Sequence, residues 1–394
     1  MNIKDMISPV IRDMPPSGIR RFFDLVDEIE GAVSLGVGEP DFITPWHIRE
    51  ASIHSLEEGY THYTSNWGLP DLRREIARYL SHRFNLAYSF EDQIIVTVGA
   101  SEAIDLALRA IVTPGDEVLV PEPSYVSYMP CVEMAGGRVV PIVTKAEDEF
   151  RLTPQALREA ITPHTKALIL PYPNNPTGGV MLRSDLEAIA DVLKDTDILV
   201  LSDEIYAELT YGDTAHVSIA SLPGMEERTV LISGFSKAFA MTGWRVGYAA
   251  GHRDIIAAMV KIHQYTMLCA PVMSQIAAVE ALRAGYNDDY EDVKRMHREY
   301  DRRRRLMVKS FNDMGLECFE PRGAFYVFPS IQRTGMSSEE FCERLLQEQK
   351  VAVVPGNAFG ASGEGFIRCS YAYSIDALTE ALKRIGAFVE NLHN

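Results

Sequence analysis

The stretch Thr229-Val-Leu-Ile-Ser-Gly-Phe-Ser-Lys237-Ala-Phe-Ala-Met-Thr-Gly-Trp-Arg245 carries the most informative pattern in this chain. Residues 228–233 are mostly apolar and β-branched, which predicts a buried strand. Lys237 then lies just beyond the end of that strand, where α/β folds bind ligands. Partial burial there lowers the pKa of a lysine and frees its amine to attack a carbonyl group. Arg245 follows in the same stretch and is suited to bidentate binding of a phosphate.

An amine nucleophile beside a phosphate anchor indicates an aldehyde cofactor that carries a phosphate. Pyridoxal phosphate (PLP) fits that description. Most lysines are solvated surface residues, so Lys237 alone favours the simpler interpretation. The cofactor hypothesis therefore depends on whether other segments supply the remaining contacts.

The composition restricts the class of protein. The 394 residues are 46% hydrophobic and 24% charged, as expected for a globular protein of two domains or of one large domain with an appendage. The net charge of −17 disfavours nucleic acid and anionic membrane surfaces as partners. The basic run at 302–305 is flanked by acidic residues and is expected to form a solvated helix face.

Cysteine and histidine usage restricts the chemistry further. The five cysteines are scattered without a pairing pattern, which predicts a reducing, cytoplasmic location. The ten histidines lack ligand spacing, so we expect no metal site. We also expect no signal peptide and no membrane span, because no apolar run is long enough.

Short apolar runs alternate with helix-length amphipathic stretches. The predicted strands are residues 94–98, 117–121, 138–143, 166–171, 198–202, 228–233 and 246–250. This alternation predicts an α/β fold with a seven-stranded, mostly parallel sheet covered by helices. A long charged helix at 289–314 then begins a smaller α+β region. The expected organisation is an N-terminal arm (1–46) that packs with the small domain, a large domain (47–284) and a small domain (285–394).

Two further segments place polar side chains after predicted strands. After strand 198–202, Asp203 would pair with a pyridinium nitrogen and Tyr206 would donate to the ring oxygen. The alternative is that Asp203 caps a helix beginning at Glu204. After strand 166–171, Asn175 lies in a Pro-Asn-Asn-Pro-Thr-Gly segment, which is either an ordinary turn or a source of donors to the ring oxygen and a substrate carboxylate.

Other candidate ligands also have simpler alternatives. The segment Gly99-Ala100-Ser101 precedes a predicted helix, whose N-terminus would bind a phosphate or form only a capped turn. Tyr125 would stack on an aromatic cofactor or belong to the core. Arg368 lies in an apolar run, where its partner would be a substrate carboxylate or an internal acidic side chain.

Together these motifs resemble the class I/II aminotransferases of PLP-dependent fold type I. The resemblance extends from Ser34 almost to the C-terminus and is greatest to the prokaryotic aspartate, aromatic and broad-specificity enzymes. The motifs that carry it are, in chain order, Asn175-Pro-Thr-Gly, Ser202-Asp203-Glu-Ile-Tyr206, Ser236-Lys237, Gly243-Trp-Arg245-Val-Gly and Arg368-Cys-Ser-Tyr.

The resemblance implies a role for each residue at the ring. Lys237 would bind the cofactor aldehyde and later move a proton between the substrate Cα and the cofactor. Asp203 would pair with the ring nitrogen. Tyr206 and Asn175 would bind the ring oxygen, and Tyr125 would stack on the ring.

The resemblance also implies how the phosphate is held. Arg245, Ser101 and the Ala100 amide would bind it within one chain. Tyr63 matches a family tyrosine that reaches the phosphate in the partner subunit, which implies a homodimer with shared active sites.

Two positions depart from the family pattern. Many relatives have a phosphate-binding serine where this chain has Gly234, so Ser233 and Ser236 both remain candidates for that contact. Some aspartate-specific relatives have a lysine where this chain has Ser101. That difference weakens a strictly aspartate-specific interpretation and leaves aromatic, alanine or acetylated-diamine substrates open.

The substrate carboxylate would be held by Arg368, Asn175 and the Gly38 backbone. The implied reaction transfers the amino group of an L-amino acid, aromatic, aspartate or similar, to a 2-oxo acid. The expected acceptor is 2-oxoglutarate, in a ping-pong mechanism.

The sequence leaves two other functions to consider. A PLP-dependent C–S β-lyase of the cystathionine β-lyase type would share the fold and would release pyruvate and sulfide without an amino acceptor. A sensor domain of a transcription regulator would follow a DNA-binding domain, and the residues before Gly36 are too few for one.

Overall fold

A computed structural model describes residues 2–16, 18, 29 and 31–392. Residues 1, 17, 19–28 and 30 of the expected N-terminal arm lie outside the described residues, as do 393–394. No helix in the described part combines the length and apolar character needed to cross a membrane. The same residues contain no group of three or more His, Cys, Asp or Glu side chains that would hold a metal ion.

The described strands, in chain order, are β1 Val33–Ser34, β2 Ile94–Thr97, β3 Glu117–Glu122, β4 Arg138–Val143, β5 Thr165–Leu170, β6 Leu199–Asp203, β7 Thr229–Gly234, β8 Gly247–Ala250, β9 Tyr326–Val327, β10 Val351–Ala352, β11 Val354–Pro355 and β12 Ile367–Ser370.

The described α-helices are α1 Pro9–Asp13, α2 Trp46–Glu57, α3 Pro70–Phe84, α4 Ala100–Ile111, α5 Tyr128–Met134, α6 Pro154–Ala160, α7 Arg183–Leu193, α8 Arg253–Thr266, α9 Val272–Asp288, α10 Glu291–Asp313, α11 Ser338–Gln349 and α12 Ile375–Leu392.

A seven-stranded sheet forms the larger part of the fold, in the order β2-β8-β7-β6-β5-β3-β4. The pairs among β3 to β7 are parallel, and only β8 runs antiparallel to its neighbours β2 and β7. Strands β2, β3, β7 and β8 are buried along their whole length, because helices cover the sheet and exclude water from both faces. The predicted α/β fold with a mostly parallel seven-stranded sheet is confirmed.

All seven predicted strands are present, and each end lies within one residue of its predicted position. The charged helix predicted at 289–314 begins later, as α10 at Glu291. Asp289 and Tyr290 separate it from α9 because both have a left-handed backbone, with φ of 56° and 57°, which a helix does not continue through.

Two small sheets lie in the C-terminal part of the fold. One is antiparallel, in the order β11-β12-β9, and the other pairs β1 with β10 in parallel. Through β1, part of the first 46 residues joins strands that come late in the chain. The core beneath these sheets also includes Tyr206 and Leu209, which follow β6. Residues at the end of the large sheet therefore pack directly against the C-terminal region.

Candidate active site

A cavity of about 780 Å³ opens between the large sheet, at the carboxyl ends of its parallel strands, and the C-terminal region. Its volume is in the range of small-molecule sites. The sequence candidates that line it are Gly38, Ala100, Ser101, Tyr125, Asn175, Asp203, Tyr206, Ser236, Lys237, Arg245 and Arg368. The fold therefore brings together residues that are far apart in the chain, because parallel strands end at one edge of a sheet.

Lys237 follows β7 and extends into this cavity. Its Nζ donates to the carbonyl oxygen of Gly38 at 2.5 Å. Burial lowers the pKa of Lys237 to about 8, and the positive charge of Arg368 acts in the same direction. The amine therefore loses its proton close to neutral pH, as a nucleophile or general base requires.

Asp203 is the last residue of β6, and a turn rather than a helix follows it. The helix-capping alternative is therefore wrong. One carboxylate oxygen accepts the Ile205 N–H at 3.2 Å, and the other accepts the Tyr128 hydroxyl at 2.7 Å. Burial raises the pKa of Asp203 to about 6, and the hydrogen bond from Tyr128 opposes that rise. Tyr128 also packs edge-on against Tyr125, with ring centroids 5.5 Å apart.

Tyr206 lies in the turn after β6, and the centroid of its ring is 5.7 Å from Lys237 Nζ. Its hydroxyl lies 2.9 Å from that of Tyr326, and both side chains are buried. Burial raises the pKa of each of these phenols, so both remain protonated and able to donate a hydrogen bond.

Arg368 lies in β12 and is buried. Its Nη1 donates to Asn175 Oδ1 at 2.9 Å, and its Nη2 donates to the Gly36 carbonyl oxygen. The guanidinium lies over the rings of Tyr326 and Phe359, at 4.6 and 4.8 Å from their centroids. No described acidic side chain forms an ion pair with it, and its buried Nε has no hydrogen-bond partner within the described residues. A carboxylate ligand would supply the missing negative charge.

The N-terminus of α4 lies at the edge of the cavity, and Ala100 and Ser101 line it. Gly99 precedes this helix with φ 79°. A Cβ at that position would come within 2.6 Å of the Arg245 guanidinium, and the positive φ itself favours glycine there. Arg245 itself has a left-handed backbone, with φ 51°, and its Nη1 donates to Thr242 O at 3.1 Å. Such strain in a residue other than glycine is common at binding sites.

The two serine candidates beside Lys237 are separated by the structure. Ser236 lines the cavity. Ser233 does not, because it lies within β7 and its hydroxyl donates to the Glu204 carbonyl oxygen at 3.3 Å. Ser236 is therefore better placed than Ser233 for a contact with a phosphate in the cavity. Tyr63 also lies outside the cavity, with 84% of its surface exposed.

A family model for aminotransferase class I and II matches residues 30–385. The chain belongs to this family. It is 57% identical over 383 residues to "Putative aminotransferase YugH" of Bacillus subtilis, covering 97% of this chain and 98% of that protein. It is 48% identical over 370 residues to an aspartate aminotransferase of Pyrococcus abyssi, covering 94% and 95%.

A solved structure of an aromatic aminotransferase from Pyrococcus horikoshii superposes with a TM-score of 0.90. Its identity to this chain is 45%, and the match covers 95% of this aminotransferase and 99% of that one. The fold, the family and the relatives together establish that the chain is an enzyme of amino-acid transamination, in a family whose members depend on PLP. They favour transamination over the C–S lyase alternative.

The residues of this aminotransferase fit PLP. Lys237 offers an amine, Asp203 a buried acid, and Tyr206 a buried phenol, all on one cavity. The Arg245 guanidinium packs against Gly99 beside the N-terminus of α4, so a positive charge and the free N–H groups of a helix lie together where a phosphate would bind.

Sequence reasoning did not single out Tyr128 or Tyr326. Tyr128 begins α5 one helical turn after Tyr125, and that spacing was an available signal. Tyr326 meets Tyr206 only through tertiary packing, and nothing local in the chain indicates that contact.

Proposed function

We propose that this aminotransferase takes the amino group of an aromatic L-amino acid, aspartate or a similar donor and transfers it to 2-oxoglutarate in a ping-pong mechanism. The observation that carries the proposal is the position of Lys237. Its amine has a pKa lowered to about 8 and lies in the same cavity as the buried acid Asp203 and the guanidinium of Arg368. The pyridoxal cofactor supplies, when bound, a ring that accepts electron density from the substrate Cα.

The residues around Lys237, which form the amine end of the cavity, would each have a separate chemical role. Lys237 would accept the proton from the substrate Cα and deliver it to the cofactor. Asp203 would keep the ring nitrogen protonated, since a carboxylate there stabilises the adjacent positive charge. Tyr206 and Asn175 would donate hydrogen bonds to the ring oxygen. Tyr125 would stack on the ring and limit its tilt.

The phosphate and the substrate carboxylate would be bound at separate positions. Arg245, Ser236, Ser101 and the Ala100 N–H would hold the phosphate, because the first two line the cavity beside the N-terminus of α4.

Arg368, Asn175 and the Gly38 backbone would bind the substrate carboxylate. Arg368 is already oriented by Asn175 and by the rings of Tyr326 and Phe359. A guanidinium held in this way loses little side-chain entropy when it binds a carboxylate. The same contact would hold the Cα–H in position for Lys237.

The relatives support both donor classes, since they are named as aspartate and aromatic aminotransferases. Ser101 lines the cavity where some aspartate-specific relatives have a lysine that helps to bind a second carboxylate. We therefore place aromatic donors first and aspartate second.

A homodimer with shared active sites is part of the proposal. Tyr63 is 84% exposed, and large apolar side chains near it in the chain, Ile43 at 76% and Trp46 at 56%, are exposed as well. Exposed groups of this size are typical of protein interfaces. Sedimentation velocity at micromolar concentration would give a dimer mass, and a monomer at all concentrations would contradict this part.

We also propose the domain division at 1–46, 47–284 and 285–394, and a reducing compartment such as the cytoplasm. The pairing of β1 with β10 supports an arm that packs with the small domain. All five cysteines are free, and Cys318, Cys342 and Cys369 are buried, as a reducing environment allows.

The test is the visible absorption spectrum of the purified chain with PLP bound. A yellow band that is lost on adding L-phenylalanine, L-aspartate or L-glutamate, and that returns with 2-oxoglutarate, supports the proposal. Initial rates with each donor then rank the substrates. A band that responds to none of these amino acids would contradict the proposed donors, and pyruvate release from cystathionine without an acceptor would indicate a lyase.

A further inference from the structure

A buried histidine–glutamate pair lies beside the turn that leads into α4. His263, in α8, is fully buried, and its Nδ1 lies 2.7 Å from Glu102 Oε1 in the first turn of α4. Only 8% of the Glu102 side chain is exposed. Burying two ionisable groups costs free energy, and a pair of hydrophobic residues would fill the same space at less cost. The roles proposed above make no use of this pair.

The second oxygen of Glu102 accepts the Val98 N–H at 2.5 Å. Val98 lies between the end of β2 and Gly99, so this bond fixes the backbone that enters the turn. The Thr97 hydroxyl donates to the Gly99 carbonyl oxygen at 2.9 Å and holds the same turn from the other side. The carboxylate therefore links α8, through His263, to the backbone at 98–101.

The position of this turn determines how the groups around it meet. The Arg245 guanidinium packs against Gly99, and Gly247 in β8 packs against the Ala100 N–H. A Cβ added at Gly247 would come within 2.5 Å of the Ala100 nitrogen, so β8 lies close against the turn and limits its displacement in that direction. A displacement would also move the Ala100 N–H and the Ser101 hydroxyl away from Arg245, and convergent donors lose much of their binding energy when misplaced.

We propose that Glu102 and His263 are positioning residues that hold the 98–101 turn in its anion-binding shape and thereby set the affinity of the chain for the phosphate group of its cofactor. The proposal rests on the proposed phosphate contacts of Ala100, Ser101 and Arg245. The proposal predicts a change in PLP affinity opposite to the one expected from charge alone. A carboxylate close to a phosphate repels it, so charge alone predicts tighter binding when Glu102 is neutralised. Positioning predicts weaker binding when the hydrogen bonds of Glu102 are lost.

Two pairs of variants separate these effects. Glu102→Ala removes both hydrogen bonds, whereas Glu102→Gln removes the charge and keeps an acceptor for Val98. His263→Leu removes the donor, whereas His263→Asn keeps a nitrogen near the position of Nδ1. The dissociation constants of PLP and of pyridoxal, which lacks the phosphate, are measured by absorbance titration of the cofactor-free full chain.

We expect Glu102→Ala and His263→Leu to bind PLP at least about tenfold more weakly, the loss of one hydrogen bond to a charged group. Pyridoxal affinity stays within about twofold of the wild type, and the Gln and Asn variants stay within about threefold for PLP, because the positioning bonds remain. If His263→Leu fails to fold, the two Glu102 variants are sufficient to test the proposal.

Equal or tighter binding of PLP by Glu102→Ala would overturn the proposal, because charge would then be the only effect. An equal loss for pyridoxal would also overturn it, since the pair would act on the whole fold. A wild-type chain that binds PLP no more tightly than pyridoxal would instead overturn the proposed phosphate site, and the positioning role with it.

Discussion

The amine end of the cavity, around Lys237, and its phosphate end, around Gly99 and Arg245, differ in how much of each is formed by one chain. At the amine end, Asp203, Tyr206 and Arg368 are buried and already hydrogen-bonded. At the phosphate end, Ser101 is exposed and Tyr63 lies outside the cavity altogether. The comparison indicates that the groups that perform the chemistry are preorganised within one subunit. The cofactor anchor is completed by the ligand and, as we propose, by a second subunit.

Lys237→Ala tests the amine end with the largest expected effect. Turnover falls at least about 10³-fold, because the nucleophile and the proton carrier are lost together. PLP still binds without a covalent link, because the phosphate end is unchanged. Steady-state rates and the visible spectrum measure both effects, and Lys261→Ala on the exposed face of α8 is the matched control. Turnover like that of the wild type would contradict the assigned role.

Asp203→Asn keeps the shape of the amine end and removes its negative charge. We expect kcat to fall about 10²-fold or more, since a neutral amide does not stabilise a protonated ring nitrogen. The affinity for PLP changes much less, because its phosphate contacts lie at the other end. A kcat close to that of the wild type would place the ring nitrogen elsewhere.

Tyr128→Phe changes the pKa of Asp203 at the amine end and leaves the phosphate end unchanged. The Tyr128 hydroxyl favours the ionised form of Asp203, so its removal raises the pKa of Asp203 further above its usual value. If activity requires ionised Asp203, activity is then lost as the pH falls through this higher pKa. The acidic limb of the kcat/KM profile therefore moves to higher pH by about one unit. An unmoved limb, with a stable folded variant, would show that Asp203 is not the titrating group.

Tyr63→Phe tests the phosphate end and has the smallest expected effect. Loss of one hydroxyl that reaches the phosphate in the partner subunit weakens PLP binding about fivefold and leaves kcat nearly unchanged. Tyr265→Phe is a control with a similar exposure of 86%. Equal PLP affinities for both variants and the wild type would argue against the shared site.

The sequence was sufficient to predict the large sheet, because each of its strands is an apolar run bounded by polar or glycine-containing turns. It was also sufficient to place Lys237, Asp203 and Asn175 at strand ends, since that position depends only on local pattern. The structure brings these residues to one cavity, as expected from parallel strands. The sequence interpretation included Ser233 because side-chain direction at a strand end depends on register with neighbouring strands.

Several contacts in or beside the cavity could not be predicted as pairs from the sequence, because the partners are far apart in the chain. Tyr128 meets Asp203, Tyr326 meets Tyr206, and His263 meets Glu102 across long sequence separations. Each contact depends on how helices and strands pack, and packing is a property of the whole fold.

The sequence by itself determined the order of strands and helices, the absence of a metal-ligand pattern and the types of residue available for PLP chemistry, because these follow from hydrophobic periodicity and from short motifs. Only the tertiary structure decided which groups shift the pKa values of one another. The pKa of Lys237 is lowered because folding buries its amine near Arg368, and the hydrogen bond from Tyr128 limits the rise that burial causes in the pKa of Asp203. Desolvation and charge proximity arise only when distant segments are packed together, so they are not encoded at any single position of the chain.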